Sequence, residues 1–501
     1  MDRRMFLQSL SASLMAGTVT GAPVLAAGDS WKAEFQTALQ SKPWLLGYLG
    51  TQATAFHEQD LPVEGTLPPE LTGTLYRNGP ARHEIGDMRY QHWFDGDGMV
   101  HAFRFGEGRV SHKARMVETA KFRRETEAGR ALVHGFGTAL PGLERPSAPD
   151  DRNVANINLT RHNGELLALW EGGSAYRLDP ETLDTLGLKS WSKQTAGAPF
   201  SAHPRVDQDG TLWNFGYAAT FGALLIYRIS PDGQLRDTGV LPMQSVPMVH
   251  DFVITDRHLV LFLAPFRFDT DLAGAFLDRF AWRPDEGAQI LVIDKNDLNA
   301  VQTFDAPPYW IFHYANGFTD DAGRIQMSAP VYDTPAIMTD GFREVMRGRE
   351  GAFPGAAYMT MTLDPASGRL DTATLPDLTN AEFPRIDPRR QATRNGVTYT
   401  MQARNRGINQ GFDTLVRIDH QRERLDTYGY PDTEMAEEHV FVPHPDSTAE
   451  QKGWVVGTSL DIAKRHSVLY VFNAEHIADG PVARMPLPMA IPLGLHGNFY
   501  T

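Results

Sequence analysis

The chain has 501 residues, 42% of them hydrophobic, a net charge of −14 and no cysteine. That composition suits a packed globular core, and with no cluster of five or more basic residues it excludes nucleic acid as a partner. The missing thiols exclude disulfides, thiolate nucleophiles, iron–sulfur clusters and cysteine-bound zinc, so a metal site here has to be built from His, Asp, Glu and water.

The N-terminus reads Met-Asp-Arg3-Arg4-Met5-Phe6-Leu7, then a weakly apolar stretch from Ser9 to Val24, then Leu25-Ala26-Ala27-Gly28. Paired arginines before Phe-Leu, with small residues near Ala26 and Ala27, predict a twin-arginine export signal over 1–27 and a periplasmic mature protein. A single domain over 28–501 is expected to follow. No later stretch approaches the ~20 apolar residues of a membrane span, which leaves peripheral membrane contact as the only expected association with lipid.

Beyond the leader the chain is β-rich: short alternating runs broken by Asp, Gly, Asn and Pro. A unit recurs in which an apolar strand ends on an acidic or small turn residue. Its copies are His101–Gly108, Tyr176–Pro180, Tyr227–Gly233, Leu291–Asp294, Met361–Pro365, Val416–Asp419 and Tyr470–Asn473. The turn residues stand at 106, 179, 230, 294, 364, 419 and 473, with spacings of 73, 51, 64, 70, 55 and 54. Seven irregular units of this size predict an all-β, seven-bladed propeller with loop insertions rather than a solenoid of tighter period.

Four of the 17 histidines fall in phase with the repeat. His203, His250, His313 and His496 lie 24, 20, 19 and 23 residues after the turns at 179, 230, 294 and 473. Equivalent positions on innermost strands form a ring around a propeller axis, so four imidazoles converge there as a metal site. Two further units carry a carboxylate at nearly the same phase: Glu382, 18 residues after 364, and Glu438, 19 after 419. Holding the second ring N–H of a metal-bound histidine is their natural role. Direct ligation is the alternative for both, or, for Glu382, an ion pair with Arg385. Four neutral imidazoles suit Fe(II), Cu or Zn better than Ca or Mg, which prefer oxygen.

At these residues, and in Leu61-Pro-Val-Glu-Gly65, Leu75-Tyr-Arg-Asn-Gly-Pro80, His92-Trp-Phe-Asp-Gly-Asp-Gly-Met99 and Leu167-Ala-Leu-Trp-Glu171, the sequence resembles the carotenoid cleavage oxygenase family. The resemblance implies a propeller capped by a dome of loops and helices, with Fe(II) on His203, His250, His313 and His496. It assigns Glu171, Glu382 and Glu438 to the carboxylates behind the ligands. Glu171 is out of phase with the repeat and rests on the resemblance alone. His92, His439 and His444 match no ligand position. The implied reaction adds O2 across a C=C bond of a hydrophobic conjugated substrate to give two carbonyl products. An apolar tunnel would select the bond and exclude water.

Three positions bear on the substrate. Tyr90 and Lys121 resemble the pair that grips a phenolic hydroxyl in stilbene-cleaving members, although Lys121 also resembles a basic residue of carotenoid-cleaving ones. Ile157, in Ala155-Asn156-Ile157-Asn158, stands where many members carry Thr near the open iron position. Carotenoid or apocarotenoid cleavage is therefore the leading reading, with stilbene cleavage and carotenoid sequestration without turnover as alternatives. A propeller hydrolase would need an oxygen-rich calcium shell, and an isomerase a retinyl-ester context. His92–Met99 is expected to be a structural turn with Gly96 and Gly98 at positive φ. The aromatic stretch Phe266–Phe280 is expected either to meet a membrane at the tunnel mouth or to pack as a dome insertion.

Overall fold

The computed structural model describes residues 28–404 and 410–501; the expected export signal over 1–27 lies outside them. Seven antiparallel sheets of four or five strands are arranged as the blades of a propeller. Blade 1 combines both ends of the described chain: Gly73–Arg82, Asp97–Gly106, Arg109–Met116 and Ala55–Asp60 pair outward from the C-terminal strand His496–Tyr500. Blades 2 to 7 begin at their inner strands Asn158–His162, Arg205–Val206, Val253–Ile254, Asn316–Thr319, Ala381–Arg385 and Glu434–Pro443. Each then runs outward through consecutive antiparallel strands, and blade 7 takes its fifth, outermost strand, Glu64–Gly65, from early in the chain.

All seven recurring units of the sequence are the hairpin between the third and fourth strands of a blade, as in Gly106↔Arg109, Asp294↔Asp297 and Asp419↔Arg424. Burial explains why this hairpin is so legible. Middle strands such as Leu212–Ala218 are buried along their whole length because a neighbouring sheet covers each face. Fourth strands such as Arg109–Met116 face solvent on one side, so Val110, His112, Ala114 and Met116 alternate with exposed or half-buried residues. The hydrophobic core is accordingly a set of wedges between consecutive sheets.

One end of the axis is covered by irregular segments and short helices. They include Gly28–Leu39, Pro43–Tyr48, Ala120–Ala128, the helical run 337–347 and the hairpin of Phe266–Phe268 with Phe280–Trp282. In that hairpin Phe266, Phe268, Phe276 and Phe280 are all buried, stacked edge to face on one another and on Trp310. The stretch is thus a dome insertion, and as a membrane-facing patch it is corrected: its rings are spent on the core. Among the described residues no helix is long and apolar enough to cross a membrane.

The motif His92–Met99 forms a 3-10 turn, Trp93–Asp95, leading into the third strand of blade 1. Its glycines are not at positive φ: Gly96 has φ −63° and Gly98 is not left-handed either. They are required by close approach instead. A Cβ on Gly98 would overlap the backbone of Ala155 and Asn156, and one on Gly96 would meet His83 and Pro80.

Candidate metal centre

His203, His250 and His313 stand two or three residues before an inner strand, and His496 opens one. Entering an inner strand from the dome side aims a side chain at the axis. The four ligating nitrogens come within 4.8 Å of one another, and all four residues are buried. Nε2 of His203 and Nε2 of His250 are 3.1 Å apart. That is the spacing of adjacent ligands with metal–nitrogen bonds of ~2.1 Å at right angles.

Three of the imidazoles are held from behind. Nδ1 of His250 lies 2.6 Å from Glu171, Nδ1 of His313 lies 2.6 Å from Glu382 and Nδ1 of His496 lies 2.9 Å from Glu438. A carboxylate at Nδ1 fixes the proton there and leaves Nε2 as a lone pair aimed at the axis. Nε2 of His313 is buried with no hydrogen-bond partner, a costly arrangement unless a cation completes it. Burial first, then the neighbouring imidazoles, keep the His203 pKa well below its ordinary value. Burial also brings His496 down to about 4 against the opposing pull of Glu438. Burial opposes a charge on His250 too, but Glu171 behind it raises its pKa above the ordinary value. With lone pairs of neutral His203 and His496 and the braced Nε2 atoms of His250 and His313 aimed at one point, the residues fit a borderline transition metal such as Fe(II).

The carboxylates are themselves braced, two of them by tyrosines that the sequence pattern did not single out. The Tyr217 hydroxyl donates to Glu171 at 2.5 Å, and Tyr332 donates to Glu382 at 3.1 Å. Arg385 donates twice to Glu438 at 2.8 Å, so its ion pair is with Glu438 and not with Glu382. Burial alone would raise the Glu438 pKa, but Arg385 and His496 together hold it well below the carboxylate range. Phe383, at φ 55°, stacks on His313 and stands edge-on to His496. One signal was available for Arg385, a charge three residues after an in-phase Glu; Tyr217 and Tyr332 had none.

Above the ring, on the dome side, lies a cavity of about 410 Å³ lined by Trp44, Tyr48, Trp93, Phe94, Phe136, Ile157, Phe312 and Phe342, with His250, His313 and His496 at its floor. Ile157 is brought to this floor at the head of the blade 2 inner strand, the ring position equivalent to the ligands. Tyr90 and Lys121 are placed elsewhere. Both are buried, the Lys121 ammonium donates to Tyr90 at 2.6 Å, to Glu125 at 2.8 Å and to Asp97 at 3.2 Å, and neither residue lines the cavity. His92 accepts from Phe94 N and lies against Met338 O, His439 bonds Tyr430, and His444 stacks on Trp454. None of the three joins the ring.

Comparison with known proteins agrees with this geometry. The profile of the retinal pigment epithelial membrane protein family (RPE65) matches residues 50–501. The chain is 31% identical to apocarotenoid-15,15'-oxygenase of Synechocystis over 93% of its length and 97% of the relative's. It is 29% identical to lignostilbene-alpha,beta-dioxygenase isozyme III of Sphingomonas paucimobilis, over 88% and 93%. The crystal structure of cobalt-substituted Synechocystis ACO superposes with a TM-score of 0.82 at 29% identity, covering 92% of this chain and 98% of that one. The propeller, the four-histidine ring and these relatives together make the chain a member of the RPE65/carotenoid cleavage oxygenase family, and an oxygenase-type enzyme.

Proposed function

We propose that the four histidines hold Fe(II) and that the enzyme splits one C=C bond of a carotenoid or apocarotenoid with O2, releasing two carbonyl products. The observation that carries this reading is the apolar cavity whose floor is the imidazole ring. Bound Fe(II) would supply the centre at which O2 becomes reactive toward the double bond. Everything else falls to the chain. Glu171, Glu382 and Glu438 keep the Nδ1 protons in place, so the ligand set stays neutral and rigid. Trp93, Phe94, Phe136 and Phe312 exclude water and hold an extended hydrocarbon by shape. Ile157 narrows the floor on the blade 2 side, and so takes part in choosing which bond stops there.

A stilbene substrate is the second reading, because relatives at similar identity include a lignostilbene dioxygenase. It would use Tyr90 and Lys121 on a phenolic hydroxyl. What favours the polyene is that both groups are already satisfied by Glu125 and Asp97 and stand off the cavity wall. The same reading takes residues 1–27 as a twin-arginine leader, so that the folded enzyme is delivered to the periplasm; N-terminal sequencing of periplasmic material would detect its removal.

The deciding experiment measures metal content of the purified protein, then admits O2 to anaerobic samples holding β-apo-8′-carotenal or resveratrol. Near-stoichiometric iron and O2-dependent aldehyde from the apocarotenal are expected. Cleavage of resveratrol alone would transfer the assignment to stilbenes, and iron-free protein that merely retains pigment would make it a sequestering protein. Replacing Ile157 with Thr should change the rate or the bond cleaved while leaving iron content unaltered.

A further inference from the structure

The ring has a second face. On the side away from the dome, a polar channel of about 560 Å³ runs down the propeller axis. Residues in or just before all seven inner strands form its wall, among them Asn158, Asp251, Glu438 and Asn498, and its rim includes the exposed Val206 and Gln208. His203, His313 and His496 line it, whereas His203 does not line the apolar cavity. His203 also differs from the other three histidines in how it is held: Glu171, Glu382 and Glu438 serve His250, His313 and His496, and no ion pair joins a carboxylate to His203 among the described residues. The one ligand without a carboxylate brace is thus the one that faces only the channel.

We propose that the metal ion is loaded and exchanged through this axial channel, with His203 as the ligand that swings aside. The proposal rests on the reading of the ring as a metal site. A hydrated divalent cation loses heavily if stripped of water among Trp and Phe side chains, and the dome-side cavity is lined mainly by such rings, its buried carboxylates Glu171, Glu382 and Glu437 being engaged by His250, His313 and Arg77. The channel offers amide and carboxylate oxygens that replace water ligands stepwise. Of its four wall arginines three are neutralised, Arg205 by Asp251 at 2.5 Å, Arg385 by Glu438 at 2.8 Å and Arg389 by Asp387 at 2.6 Å, and only Arg161 has no ion pair among the described residues. The last barrier is the triangle of imidazoles itself. Braced rings keep their positions, and the unbraced His203 can rotate toward the channel, admit the ion and close behind it. Substrate and metal would then use opposite faces of one ring.

The cysteine-free chain makes the test direct. Val206→Cys places a unique thiol at the channel rim, and Phe353→Cys places one at the cavity mouth, where Phe353 is 45% exposed. Each full-length variant is stripped of metal with a chelator, checked for retained fold by circular dichroism and mixed with CoCl2, before and after reaction with a polyethylene-glycol maleimide. Cobalt uptake is followed by absorbance. Modification at position 206 is expected to slow uptake and chelator-driven release about tenfold or more, with the same final stoichiometry. Modification at 353 is expected to leave both rates unchanged. Slowing by the label at 353 alone, or by neither label, overturns the channel route. Failure of every sample to take up one cobalt per chain would instead overturn the metal assignment beneath it.

Discussion

At the scale of single residues, the carboxylates behind the ring are not interchangeable. Glu382 accepts from His313 Nδ1, Tyr332 and the Phe383 amide, and no Lys or Arg lies among these donors. Glu382→Gln keeps the shape and loses the charge that raises imidazole basicity, so metal affinity should drop about 10- to 100-fold, read by competition with a chromogenic chelator, with little change in thermal stability. Glu438 also neutralises Arg385, which is tied to Gly497 and Asn498 on the closing strand. Glu438→Gln should therefore lose metal affinity and in addition destabilise the fold by about 3–5 kcal/mol, the cost of stranding a largely buried charge. Equal melting temperatures for the two variants would contradict this division. The distinction could not be read from phase, which placed both glutamates at one ring position; it depends on which donor lies behind each.

At the scale of elements, a glycine next to the site has a packing job. The strand Asp97–Gly106 passes so close to the segment entering blade 2 that a side chain at Gly98 has no room beside Ala155 and Asn156. Gly98→Ala should cost about 1–3 kcal/mol or more through overpacking against backbone that cannot yield, measured by urea denaturation. Because the displaced segment carries Ile157, cavity shape should change with it. This element also shows why part of the site was legible and part was not. The hairpins repeat because each blade needs the same half-exposed fourth strand, and after most of them the chain returns to the axis in 18 to 24 residues, which brought the four histidines and two glutamates into phase. Between blades 1 and 2 the return is lengthened by the helix Ala120–Ala128 and the turn Pro149–Arg152, so Ile157 fell out of phase. Glu171 escaped for another reason: it follows the second strand of blade 2, Glu165–Leu169, not an inner one. The bracing tyrosines carry no periodic mark at all, since any of 15 tyrosines could have met a carboxylate.

At the scale of the whole molecule, the propeller is closed by blade 1, where His496–Tyr500 pairs with Gly73–Arg82. That seam is unusually rich in buried neutral histidine. His101 and His112 stack in its third and fourth strands with Nδ1 and Nε2 3.0 Å apart, and His83 follows directly after its second strand with neither ring nitrogen partnered. Burial, reinforced by Arg77, lowers His112 to about 4 and His101 well below its ordinary value, and burial beside Arg89 does the same to His83. The unfolded chain takes up these protons below about pH 6.5 and the native one does not, so stability must decline as pH falls through that value. Each group adds a slope of up to ~1.4 kcal/mol per pH unit until its native pKa is reached. Urea titrations should thus show stability falling between pH 6.5 and 4.5, and His112→Gln should make the decline shallower by about one proton's worth. A flat profile over that range, or a slope that the substitution leaves unchanged, would refute the assignment. Because the closing strand also carries His496, acid that loosens blade 1 should release metal before the remaining blades unfold, and metal loss should precede the change in far-ultraviolet circular dichroism on the same titration.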